Sequence, residues 1–448
     1  MDASVNTLTT KAELGFAEIY EHGKAALPGA DAPWLREIRS EAFRAFERQG
    51  LPHRRVEEWK YTDLRARLEE AFAPASKSAA VDANRVAGAL GTGLGGLDCH
   101  LVVIVDGRLA PELSDLDFLG KRGEAMDLAA ALAAPPAWLR QRLGDGGEVG
   151  SGVLLDLNTA LMSDGVALAI KAGARVEKPV HIVHLHTAPE ASGAAMRHVI
   201  ALGEGAEATL IESHVSLSDA PSQTNVASEV RLAAGAAMNH VKFQNEAHQA
   251  AHLSTWRVTL EGDARYDAFQ FSEGAGLARS ELHMHFAGRG AEARVGGVFL
   301  GAGKQHLDTT LFVDHAVPDC RSRILFKGVL DEEARGIFQG KIAVRREAQK
   351  TDSKEMAQGL LLSERAEFDS KPELEIFADD VVCGHGSTSG QIDEELMFYL
   401  RARGIGEVEA RSLLIQAFAG EALELIADEA VREALMDEVR GWLTRGVG

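Results

Sequence analysis

The residues best placed to do chemistry are Cys383 and His385, in the stretch DDVVCGHGSTSGQIDEELMFYL (379–400). A thiolate and an imidazole nitrogen both bind iron or zinc. On extended backbone, side chains two residues apart point the same way, so the pair offers two donors to one place. Two donors do not close a metal site. The others must come from elsewhere in the chain or from a second chain. Glycines at 384, 386 and 390 crowd the segment, so it also fits a glycine-rich exit turn that carries an incidental Cys and His.

Other candidate groups are weaker. Glu281, His283 and His285 share one face of ELHMHF, which suits either a metal-binding strand or a polar outward face. His181, His184 and His186 repeat that spacing without a clearly placed acid. His306, Asp308 and His315 flank another alternating run, but no GxSxG or other nucleophile motif accompanies them, so a hydrolytic triad is not read here. The glycine-rich GALGTGLGGLDC (88–99) lacks both the GxGxxG order and a Walker A pattern. It reads as a flexible connection.

Composition excludes several classes. The chain has 448 residues and a formal charge of −20, which argues against nucleic acid as a partner, because a phosphate backbone needs a clustered basic surface. Cys99, Cys320 and Cys383 are odd in number and form no CxxC. Neither a disulfide framework, nor a zinc ribbon, nor a self-contained Cys-ligated iron–sulfur site is expected. No apolar run approaches the ~18 residues of a membrane span. The N-terminal residues lack a cationic segment followed by an apolar one. A cytoplasmic, membrane-free protein is expected.

The elements that must position the Cys–His pair fall into three parts. WLREIRSEAFRAFERQG aligns Leu35, Ile38, Ala42 and Phe46 on a helical stripe, ending at Gly50. Residues 1–150 are read as a helical or α+β region. Residues 151–388 are read as strands, because short runs alternate with period two. TLIESHVSL puts Ile211, Val215 and Leu217 on one face, and HLDTTLFV does so with Leu307, Thr309, Leu311 and Val313. A turn of small or acidic residues recurs near 172, 204, 234, 261, 289, 332 and 363. Near-constant spacing of about 30 residues is the signature of stacked units that bury their faces on one another. The fold expected is mainly β with helical flanks, around a central parallel β-helix. A sandwich is disfavoured by the lack of Asn-Gly hairpin turns. Residues 389–448 read as amphipathic helices that could cap the open end of the solenoid and hide its strand edge.

Longer motifs carry a resemblance. Residues 336–405 contain FQGKI (338–342), AQKTD (348–352), LLLS (360–363), PELEI (372–376), ADDV (378–381) and C-x-HG (383–386) in that order. VEEWKYTDL (56–64) and HLDTTLFVDHAVPDCRS (306–322) stand upstream. In these elements the chain resembles the scaffold proteins of the SUF iron–sulfur cluster assembly system, and within them the D component more than the B component. CGHGST stands where the family often has CSHGAT, small residues replacing small ones.

The resemblance implies a central β-helix and a non-enzymatic scaffold role. It implies pairing with a SufB-like subunit and docking of a SufC-like ATPase on the helices after Gly390, through Gln391, Glu394, Glu395, Phe398, Tyr399 and Arg401. It implies that His385, with Cys383 beside it, is a ligand or gatekeeper for a transient iron–sulfur cluster shared with the partner. The isolated chain would hold no cofactor tightly, and it could pair with itself through the same edge. The competing readings are a self-contained metal-dependent enzyme and a polysaccharide-acting β-solenoid enzyme. The latter needs a carboxylate-lined groove, which the sequence does not display.

Overall fold

The computed structural model describes residues 9–144 and 152–446. From Asp164–Ile170 to Val382–Gly390 every regular element is a strand. Successive strands alternate between two sheets. Each pairs in parallel with the strand next but one along the chain, as Ser192–Leu202 does with Ser222–Leu232 and Glu207–Ser216 with Ala237–Asn245. The chain winds into a parallel β-solenoid of about eight turns.

The recurring turns have a stereochemical cause. Gly173, Gly205, Gly235, Asp263, Gly290, Asp319 and Lys350 each adopt positive φ at the same corner of successive rungs. Glycine takes that conformation freely, and aspartate tolerates it better than most residues. The turns also bond to one another: the amide of Gly205 donates to Ala234 O (2.9 Å), Gly235 to Gly262 O (2.8 Å) and Asp263 to Arg289 O (2.9 Å). The sequence repeat merges two corners, however. The turns near 332 and 363 lie at the opposite corner, with Gly303 and Glu332 at positive φ.

The walls are buried on both faces. Trp256, Tyr266, Leu282, Met284, Phe286, Phe326 and Phe338 fill the lumen. Ile211 and Val215 point outward instead, and with Phe243, Phe271, Val298 and Val329 they meet Ile415, Ala419, Leu423, Leu435 and Trp442 of the C-terminal helices. Those helices, Glu407–Leu423 and Glu429–Gly446, lie along the flank of the second sheet. They do not cap the open end as expected, because the apolar outer wall offers them a much larger face to bury.

A second correction concerns residues 88–99. Helices Ala83–Ala89 and Gly91–Leu94 run through this stretch. Val86, Leu90 and Leu94 are buried beside the last helix. A methyl group at Gly93 would fall 2.8 Å from Ala434 Cα. The glycine therefore permits close helix packing and does not confer flexibility.

The N-terminal region is bolted to the solenoid. Trp59 lies over the Arg279 guanidinium, 3.7 Å from ring centroid to Cζ. Arg279 is fully buried and binds Glu281 (2.9 Å), Asp308 and the carbonyl of Glu58 (2.9 Å). Thr62 Oγ1 meets His306 Nε2 at 2.8 Å and donates to Asp308. The EWKYT and HxD motifs, some 250 residues apart, are two halves of one contact.

The two ends of the solenoid differ. At the first turns, each sheet finishes in a short antiparallel strand, Arg108–Leu109 in one and Gly123–Asp127 in the other. At the last turn, both sheets finish in full-length parallel strands, Glu367–Ile376 and Val382–Gly390. Their outer edges have no strand beside them among the described residues.

Candidate functional site

Cys383 and His385 lie on the last strand, Val382–Gly390. They pair in register with Ser353 and Glu355 of the strand beneath, Asp352–Leu361. In that strand Ser353, Glu355 and Ala357 are buried while Lys354 and Met356 are exposed. The in-register stack therefore places Cys383 and His385 on the lumen face of the terminal rung. Cys383 is half-buried and His385 exposed. Burial, aided by the charge of Asp352, pushes the Cys383 thiol up. The rim around them is apolar: Phe377 and Val382 are 62% and 63% exposed.

The glycines divide by function. A methyl group at Gly386 would fall 2.7 Å from Met356 Cε. At Gly384 or Gly390 it would meet nothing within 4 Å. Packing within this chain does not require those two glycines, and they leave a strip of bare backbone on the outermost strand. Among the described residues, no three His, Cys, Asp or Glu side chains converge to hold a metal ion.

The other residues singled out by resemblance lie just beyond. Asp393 caps helix Glu394–Ala402 through the amides of Glu395 (2.8 Å) and Leu396 (3.2 Å). No residue of this helix is buried. Gln391, Glu394, Glu395 and Arg401 are exposed, as are Phe398 (75%) and Tyr399 (55%). Arg403 stacks over Tyr399 at 4.8 Å. The two aromatic rings are largely exposed on a short helix in which no residue is buried.

One residue of this region escaped the sequence reading. Glu355 is enclosed in the lumen directly beneath His385, and neither of its carboxylate oxygens has a hydrogen-bond partner. Burial, and then the charge of Glu373, pushes its carboxyl up to about 8. Its carboxylate reaches across to Gly340 in the opposite wall, where a methyl group would clash with both oxygens. The glycine of the FQGKI motif is thus the space that Glu355 occupies. Beneath Cys383, Ser353 bonds to Ser322 (2.6 Å), which bonds to His315 (3.0 Å).

The remaining candidates separate into different settings. His184 is buried in the lumen, 3.2 Å from His198 and stacked on His214. The nearby acid is Glu212, which binds His240 at 2.8 Å. Burial pushes Glu212 up, but contacts with His214 and His240 outweigh it and hold the carboxylate well below its usual range. Burial drives His198 down to about 4 and Lys242, bonded to Ser254 (2.5 Å) and Ser280 (3.0 Å), down to about 8. His181 bonds to Ser213 (2.7 Å) and His186 to Ser192 (3.3 Å). His283 stays near Glu281 (3.9 Å), whereas His285 takes Asp314 (2.8 Å) from the next rung. His306 and Asp308 serve the Thr62 contact, and His315 faces the lumen against Phe286. His306 and His315 stand at opposite ends of the strand His306–His315 and take different hydroxyls, Thr62 and Ser322, so the three residues form no triad.

The fold and site define a solenoid with an open, donor-bearing end, and the comparisons place it in a family. The chain matches the SUF system FeS cluster assembly SufBD core domain over residues 184–418. It matches the SufBD protein N-terminal region over residues 10–182. It belongs to the SufBD family of iron–sulfur cluster assembly proteins. It is 33% identical to the iron–sulfur cluster assembly protein SufD of Escherichia coli, over 88% of this chain and 89% of that protein. A SufBD family protein of Synechocystis is 33% identical over 84% of each chain. SufD of Bacillus subtilis is 28% identical over 66% of this chain and 68% of its own.

Proposed function

We propose that the chain is a non-catalytic scaffold subunit for iron–sulfur cluster assembly. Cys383 and His385 form half of a site that a SufB-like partner completes at the open end. One observation carries this reading: the end that bears the two donors finishes both sheets in full-length parallel strands with no strand beside them among the described residues, while the other end finishes in short antiparallel strands. An exposed strand edge is a template for pairing with another chain. The bare backbone at Gly384 and Gly390 lets that chain come close. The cluster is cargo, held transiently between subunits, and the isolated chain binds no cofactor tightly. A second copy of this chain would find the same edge, so a homodimer forms when the partner is absent.

Helix Glu394–Ala402, with Phe398 and Tyr399 exposed, is the seat proposed for a SufC-like ATPase. Movement of the ATPase would strain the adjoining rung and open the site, as subunit rotation does at other interfaces. No helix among the described residues is long and apolar enough to cross a membrane, which suits a cytoplasmic location.

The test is anaerobic reconstitution with the SufB-like partner and the ATPase, supplied with iron and a sulfur source. Cluster absorbance is compared for wild type, Cys383→Ala and His385→Ala. Loss of cluster with His385→Ala, in a complex that still assembles, is the expected result. Wild-type cluster yield from both variants would make the segment merely structural.

A further inference from the structure

The Cys383–His385 rung has a carboxylate beneath it whose enclosure nothing in the fold explains. Glu355 is 3% exposed, and both its oxygens lack a partner. Buried carboxylates ordinarily sit against a cation or several donors. Here the opposite wall offers Gly340, which provides space and no hydrogen bond to a side chain. Glu355 and His385 are direct Cα partners on adjacent parallel strands, about 4.8 Å apart. Their side chains leave the backbone toward the same lumen. Above them the outermost strand carries only glycine at 384 and 386, and no further rung follows among the described residues.

We propose that Glu355 is the third donor of this half-site. Its carboxyl group rests in the space beside Gly340 and turns toward Cys383 and His385 when a divalent metal ion or an iron of the cargo arrives, the carboxyl and thiol protons passing to solvent as the metal binds. The turn is needed, because the three side chains do not converge in the resting geometry. Rotation about the side-chain bonds of a glutamate spans one strand spacing, and no hydrogen bond must break to release it. The resulting set is one sulfur, one nitrogen and one oxygen. Such a mixture suits ferrous iron, cobalt or zinc and leaves a position open for a partner's ligand. This inference rests on the half-site proposed above.

The probe is Co²⁺ alone, titrated anaerobically into the complex of the full-length chain with its SufB-like partner and the ATPase. Near-ultraviolet absorption reads the thiolate charge-transfer band and visible absorption the d–d bands. Cys383→Ala is expected to remove the thiolate contribution of this chain. Glu355→Gln, which keeps size and shape, is expected to weaken Co²⁺ binding by at least about 10-fold, since losing a direct ligand costs no less than losing a group that only orients one, and to shift the d–d bands. Glu355→Asp should recover part of the loss. Complex assembly, followed by gel filtration, confirms that each variant folds. If Cys383→Ala alters the spectrum but Glu355→Gln leaves midpoint and bands unchanged, the half-site stands and Glu355 is not a donor. If Cys383→Ala changes nothing, the half-site reading falls and this inference falls with it.

Discussion

Gly340 and Glu355 behave as one unit at the scale of single residues. Adding a methyl group at 340 forces the carboxylate aside, so Gly340→Ala should cost about 1–3 kcal/mol in urea unfolding. Glu355→Ala empties the space, and the double variant should recover most of that cost. Glu355 also makes stability depend on pH. Its carboxyl is raised to about 8 in the fold by burial and by Glu373. The neutral form is the one the fold tolerates, so this group's contribution is fully present below the ordinary carboxylate range. It is lost as pH rises toward 8, by up to about 1.4 kcal/mol per unit. Glu355→Gln should therefore gain stability over wild type at pH 8 and show little difference at pH 4, read from denaturant midpoints. Cys383 and His385 were legible because their chemistry and spacing sit within three residues. Glu355 was not, because its meaning depends on which face of DSKEMAQ turns inward and on a glycine in the opposite wall.

Elements were legible where their signal is local. The strands follow from alternation, and the corners from glycine and aspartate at positive φ. The readings that failed involve distant partners. The first half of the stretch 88–99 is helical because Leu90 and Leu94 find the last helix, more than 300 residues away in the chain. The EWKYT segment gave no hint that Trp59 covers Arg279. Trp59→Ala should cost about 3–5 kcal/mol, and limited proteolysis should then cut the segment around residues 50–70 much faster than in wild type. Helix Glu394–Ala402 predicts the opposite behaviour. Because Phe398 is largely exposed, Phe398→Asp should leave stability within about 0.5 kcal/mol. Under the proposed function it should nevertheless weaken capture of the ATPase by the complex, measured by calorimetry.

For the whole molecule, the solenoid was visible as a repeat, although the sequence blended its two corners into one series. What the repeat could not reveal is the direction of asymmetry. Outward faces were buried by flanking helices, so polar and apolar positions do not separate lumen from surface: Glu212 and His214 face inward, while Ile211 and Val215 face outward. The unpaired end should make the isolated chain associate as its concentration rises. Sedimentation velocity should record a shift toward dimer, and Phe377→Lys with Val382→Lys should suppress it, since charge on an edge opposes strand pairing. A monomer at every concentration would remove the edge-pairing account.

The position of the donor strand at the C-terminal end of the solenoid has a consequence for synthesis. Translation delivers a rung of about 30 residues in roughly 2–6 s at typical elongation rates, while collapse and strand addition take far less time. Each rung can therefore zip onto a finished template before the next leaves the ribosome, starting from the end that carries Arg108–Leu109 and Gly123–Asp127. The donor strand is the last rung to be laid down. The nascent protein thus carries a growing tip that is sticky throughout elongation, and it acquires its chemistry only when winding stops.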